Sequence, residues 1–85
     1  MPQPATVTLL SRPGCHLCDT ARDVVAGVLP GFPGVTFSEL SIADDAELSE
    51  KYAEEIPVLL VNGAVHNIWR VDPVRLAATL KEVTA

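Results

Sequence analysis

The chain switches periodicity at a four-residue turn near its start, and that switch restricts its topology more than any other feature. Residues 5–10, ATVTLL, are β-branched and aliphatic and read as a buried strand. Ser11-Arg12-Pro13-Gly14 stops the run. From 15 to 29 apolar residues recur at Leu17, Ala21, Val24, Val25, Val28 and Leu29, with His16, Asp19, Arg22 and Asp23 on the other side, which is a helical stripe. Two prolines and two glycines within Pro30-Gly31-Phe32-Pro33-Gly34 end that helix, and a second strand is read near 35–40. A strand, a helix and a strand in immediate succession form a crossover that leaves the two strands parallel and right-handed.

The remainder adds a helix, a hairpin and a helix. Asp44 with Glu47 fits a capping box for a helix over roughly 44–54, whose apolar side is Leu48, Tyr52 and Ala53. Val58-Leu59-Leu60-Val61 and Ala64-Val65-His66-Asn67-Ile68 are strand-like runs joined by Asn62-Gly63, the dipeptide suited to a tight hairpin turn. Asp72-Pro73 supplies a cap and a first-turn proline ahead of Leu76, Ala77, Leu80 and Val83, a last amphipathic helix. The expected fold is α/β, order βαβαββα, with a four-stranded mixed sheet and helices on both faces. At 85 residues, positions 1–85 fit one small domain.

The net charge of −5 comes without any basic tract, so nucleic acid and anionic membranes are not expected partners. No stretch approaches the roughly 20 apolar residues of a bilayer span. MPQPATVTLL lacks the charged start of an export signal, and the expected location is the cytoplasm. A monomer is expected.

Both cysteines, Cys15 and Cys18, lie in SRPGCHLCD. So short a loop removes little chain entropy, and a structural staple is a poor account of the pair. A redox centre, half of a metal or iron–sulfur site, and inert packing remain as readings. For zinc, only His16 and His66 are available to join the two sulfurs. For redox work, the placement matters. Cys15 is at a helix start, where unpaired amides and the positive end of the dipole favour a thiolate. Arg12 adds positive charge nearby, as does His16 when protonated, whereas Asp19 opposes them.

Lowering a thiol from about 8.5 to about 6.5 raises its thiolate fraction at neutral pH roughly 25-fold, but a Brønsted slope near 0.45 removes about 8-fold of that. The larger benefit is a better leaving group. Cys18 shares a partly apolar helix face with Ala21 and Val25 and is expected to be the more buried sulfur. Cys15 is therefore assigned as nucleophile and Cys18 as the resolving thiol, with His16 and Leu17 between them tuning the pair.

Four features together resemble the thioredoxin superfamily, and more closely the small glutaredoxins: C-x-x-C between a strand and a helix, Arg12 three residues ahead of it, Ile56-Pro57-Val58 opening the third strand, and Asp72 before the last helix. The run RPGCHLC is most similar to a little-characterised bacterial glutaredoxin-like family. The resemblance implies a thiol–disulfide oxidoreductase with no bound cofactor, whose partner is a disulfide-containing protein or a low-molecular-weight thiol. It also implies a cis bond at Pro57, a backbone at Val58 that pairs with an extended substrate, and substrate-side roles for Arg12 and Asp72. Glutathione is the co-substrate it suggests, yet the glycine pair on which glutathione lies in that family is replaced by Trp69 in Ile68-Trp69-Arg70-Val71-Asp72. Trp69 and Arg70 are then read as part of a surface for another disulfide substrate. The plainer readings make Trp69 a partly buried packing residue, His66 a surface strand residue, Asp72 a helix cap and the acidic run from Asp44 to Glu55 a solvated helix face. A metal or cluster carrier and a non-catalytic domain of the same fold are the rival functions.

Overall fold

The computed structural model describes residues 3–85. The elements follow in the order β1 (Ala5–Ser11), α1 (His16–Val28), β2 (Val35–Ser41), α2 (Ala46–Tyr52), β3 (Val58–Val61), β4 (Ala64–Ile68) and α3 (Pro73–Val83), with short 3₁₀ turns at Leu29–Gly31 and Ile42–Asp44. The sheet order is β2-β1-β3-β4. β1 and β2 are parallel from Ala5 opposite Val35 to Ser11 opposite Ser41, as the crossover requires. β3 runs antiparallel to β1 with Leu9 opposite Leu59, and β4 runs antiparallel to β3. The mixed four-stranded α/β architecture is the one expected.

The hairpin forms where Asn62-Gly63 places it. Asn62 at φ 52° and Gly63 at φ 82° supply the two successive left-handed residues that a two-residue turn of this hand needs. Asn62 also ties the turn back to β1, its amide donating to the Thr6 carbonyl and its Oδ1 accepting from the Thr6 amide, each at 2.9 Å.

Strand alternation sorts the core onto two faces. Val7, Leu9, Leu59 and Val61 meet Ala21 and Val25 of α1 and Leu76 and Leu80 of α3. Leu10 and Val58 point the other way, toward Ile42, Ile56 and Cys18, with Leu48 and Tyr52 of the short α2 packed against them. Leu9, Leu59, Leu76 and Leu80 have no exposed surface. Each such side chain contributes about 1.5–3 kcal/mol of burial, so the α1–α3 side is the firmer half of the frame.

Several boundaries differ from the sequence reading; α1 is His16–Val28, one residue shorter at each end than the 15–29 stripe. Ser11 belongs to β1 and is buried, paired with Ser41, whereas it was expected in the turn. The cap of α2 is Asp45 and not Asp44: Asp45 Oδ1 accepts from the amides of Glu47 at 3.0 Å and Leu48 at 3.1 Å, while Asp44 lies in the preceding 3₁₀ turn. α2 also stops at Tyr52, with a turn over 53–55, because Ile56 precedes Pro57 and the residue before a proline is pushed out of the helical region. Of the acidic run, Asp44, Asp45, Glu47, Glu50 and Glu54 are exposed and Glu55 is half-buried, and only Glu47 and Glu50 lie on α2 itself.

Candidate active site

β1 delivers the chain to the cysteines through a turn whose Gly14 sits at φ 74°, a left-handed conformation that glycine adopts without steric cost. Cys15 follows as the extended N-cap of α1, φ −96° and ψ 109°. Its sulfur accepts a hydrogen bond from the Cys18 amide at 3.1 Å. The two residues are joined as a disulfide with their Cα atoms 5.2 Å apart. They are not equivalent, for Cys15 is half-buried and Cys18 is only 1% exposed. A sulfur in the N-cap position receives an amide that would otherwise be unpaired at the positive end of the helix, which stabilises a thiolate there.

Opposite the cysteines stands the start of β3. Ile56 and Val58 pack in one cluster with Cys18, and Cys15 lies against it. The Ile56–Pro57 bond is cis. The Pro57 carbonyl accepts from the Trp69 amide at 2.7 Å. Val58 has Leu10 on one side and Ile68 on the other and no exposed surface. Its backbone, expected to meet a substrate, thus has a strand on each side. Among the described residues Ile56, in this cluster, makes no backbone hydrogen bond.

A groove of about 340 Å³ lies alongside, lined by Leu17, Thr20, Ala21, Trp69, Arg70 and Val71. Trp69 forms its wall in an unusual conformation, φ 66°, a region that bulky side chains seldom enter. Its indole N–H donates to the Glu54 carbonyl at 3.2 Å, bridging the loop after β4 to the loop before β3. Trp69 is 52% exposed, so about half of it is covered. Leu17 faces the same groove at 43% exposure. Among the described residues Arg70 and Arg12 are in no ion pair.

On the far side of α1 a charged network runs from the helix to β2. Arg22 grips Glu39 with two bonds of 2.6 Å, from Nε to Oε1 and from Nη2 to Oε2. It also donates to Asp19 Oδ1 at 2.9 Å, and the Ser11 hydroxyl donates to Glu39 Oε2 at 2.7 Å. The Arg22 hydrogen bond, aided by that of Ser11, holds the Glu39 carboxyl below its usual range against the opposing effect of partial burial. Asp19, which on its own would disfavour a nearby thiolate, is thus matched by a cation.

Residues 6–81 match the family described as the glutaredoxin-like domain (DUF836). The chain belongs to that family. Among relatives of this glutaredoxin-like chain, an uncharacterized protein of Mycobacterium tuberculosis is 30% identical over 82 residues, covering 92% of this chain and 84% of its own. An X-ray structure of a structural-genomics target from X. campestris is 36% identical, with a TM-score of 0.73 over 89% of this chain and 96% of that one. Mitochondrial thioredoxin 3 of Saccharomyces cerevisiae, in its oxidized form, superposes with a TM-score of 0.69 at 13% identity, covering 94% of this chain and 79% of its own. The fold is therefore thioredoxin-like.

Within this glutaredoxin-like frame, Cys15, Cys18 and Leu17 stand together with the Ile56–Pro57 segment and the 69–71 loop. Arg12 is exposed ahead of the motif and His16 is exposed within it, the latter as the first residue of α1. Asp72 caps α3, its Oδ1 accepting from Val74 at 2.9 Å and Arg75 at 3.3 Å, at the end of the loop that closes the groove. His66 differs from its expected surface role: it is half-buried, and both ring nitrogens have partners. Sequence reasoning missed the unpaired backbone of Ile56 and Glu39 as the partner of Arg22. The second had no local signal, since 17 residues separate the pair.

Proposed function

We propose that this protein is a thiol–disulfide oxidoreductase in which Cys15 attacks and Cys18 resolves. The observation that supports the reading most directly is the pair itself: two sulfurs within disulfide reach at a helix N-cap, one accessible and the other enclosed. The Cys15 thiolate attacks a substrate disulfide, forming a mixed disulfide and expelling one substrate thiolate. Cys18, giving up its proton, then attacks the Cys15 sulfur, closes the intramolecular disulfide and releases the second substrate thiolate. Two electrons pass from the dithiol to the substrate, and a thiol reductant returns them. Both leaving thiolates take up protons from solvent or from Cys18.

The surroundings supply positioning. An extended substrate pairs with the unengaged Ile56 backbone and lays its flanking residue in the groove between Leu17 and Trp69. Because Trp69 occupies the place where glutathione-using relatives carry glycine, a disulfide-bearing polypeptide is the favoured substrate over glutathione laid on that backbone. The test is turnover of a protein disulfide with either glutathione or thioredoxin reductase supplying electrons. Reduction with thioredoxin reductase in excess of that with glutathione is expected. No reduction with either source, with the dithiol intact, would overturn the reading, and a metal-loaded or coloured protein purified without oxygen would favour a carrier.

A further inference from the structure

One chain of hydrogen bonds crosses from α3 to the groove loop. His66 Nε2 is 2.9 Å from Thr79 Oγ1, His66 Nδ1 is 2.9 Å from Asn67 Oδ1, and Asn67 Nδ2 donates to the Arg70 carbonyl at 2.8 Å. The chemistry of the groups fixes the directions at Asn67. A carbonyl only accepts, so Asn67 must turn its NH₂ to Arg70 and its Oδ1 to the ring. That oxygen in turn needs a donor, so Nδ1 carries a proton, and Nε2 shares a hydrogen bond with the Thr79 hydroxyl. Thr79, His66 and Asn67 are all half-buried, which partly shields the two bonds at the ring from water, while the Asn67 bond to Arg70 is exposed.

The loop at its end needs holding. Trp69 is left-handed at φ 66°, a conformation that persists for a bulky residue only when its surroundings impose it. On one side the Trp69 amide is bound by the Pro57 carbonyl at 2.7 Å and the indole by the Glu54 carbonyl at 3.2 Å. On the other side the Arg70 amide turns back to the Ile68 carbonyl at 2.8 Å, which leaves the Arg70 carbonyl to Asn67.

We propose that Thr79, His66 and Asn67 are positioning residues that hold the 69–71 loop, and with it the Trp69 wall of the groove, from the firm α3 side of the core. Their consequence for substrate rests on the oxidoreductase reading. Their effect on the loop does not. Trp69 is the chain's single tryptophan, so its fluorescence reports the loop without any turnover.

Two variants break the line at opposite ends, Asn67→Ala beside the loop and Thr79→Val ten positions beyond Trp69 in sequence. Each should shift Trp69 emission to the red and raise its quenching by iodide. Each should raise KM for a disulfide substrate roughly fivefold, the worth of one hydrogen bond, with kcat and the alkylation rate of Cys15 unchanged. Thr79→Ser keeps the hydroxyl and should restore both readouts. Wild-type emission and KM in the folded variants would overturn the proposal, as would a fall in kcat at constant KM. If Asn67→Ala does not fold, Thr79→Val carries the test. If the wild-type protein reduces no disulfide, the oxidoreductase reading fails, and the emission shift alone decides whether these residues hold the loop.

Discussion

The Cys18 amide donates to the sulfur of Cys15 at 3.1 Å, so the enclosed cysteine of the pair stabilises the accessible one. The same contact that caps α1 also favours a thiolate at Cys15, because an amide at the positive end of a helix is among the better partners for an anion. Cys18 has no such partner among the described residues and is 1% exposed.

This asymmetry sets the order of modification. In the reduced protein at neutral pH, limited alkylation followed by mass spectrometry should label Cys15 well ahead of Cys18. Preferential labelling of Cys18 would reverse the two roles.

Asp72 is a stability residue before it is anything else. Asp72→Ala removes the acceptor for Val74 and Arg75 and should cost about 1 kcal/mol, read as a lower urea midpoint with an unchanged slope. If it instead alters Cys15 alkylation while leaving the midpoint alone, its role lies at the sulfur.

The Glu39 network gives stability a pH dependence of definite sign. The folded carboxyl titrates below its unfolded value of about 4.3, so the unfolded chain binds the proton first as pH falls. Its contribution is complete above about pH 5 and is lost as pH drops through the lowered folded value. Glu39→Gln should therefore flatten the acid limb of the stability profile below pH 5 and lower stability at neutral pH. An acid limb identical to wild type would show that the Arg22 pair contributes nothing.

Trp69→Gly separates strain from shape. Relief of the left-handed conformation returns about 1 kcal/mol, and loss of the indole bond to Glu54 costs about as much, so the net change in stability should be small. The groove, however, loses its wall. KM for a glutathione mixed disulfide should fall relative to that for a protein disulfide, and an unchanged preference would remove Trp69 from substrate selection.

Where the sequence was readable, the reason was local. Asn62-Gly63 makes its turn from its own backbone preferences, and Asp72-Pro73 starts α3 with a side chain two residues from the amide it accepts. The cysteine motif was likewise legible, since four residues after a strand-like run are enough to place it at a helix start. Asp44 and Asp45 show the limit, for both suit a cap and only the path of the 3₁₀ turn from Ile42 decides between them. Contacts made across the fold left no trace in the sequence: Glu39 with Arg22, His66 with Thr79, and the Trp69 amide with Pro57. Trp69 is the sharpest case, because nothing about a tryptophan just after a strand-like run announces a left-handed backbone.

The division of labour between the sulfurs can be measured in one trapping experiment. Cys18→Ser and Cys15→Ser variants, reduced and mixed with a protein disulfide, are quenched in acid and weighed by mass spectrometry. The account predicts a stable mixed disulfide on Cys15 in the Cys18→Ser protein, since nothing remains to displace it, and no adduct in the Cys15→Ser protein. An adduct on Cys18 in the Cys15→Ser protein, with none on Cys15 in its counterpart, would contradict it.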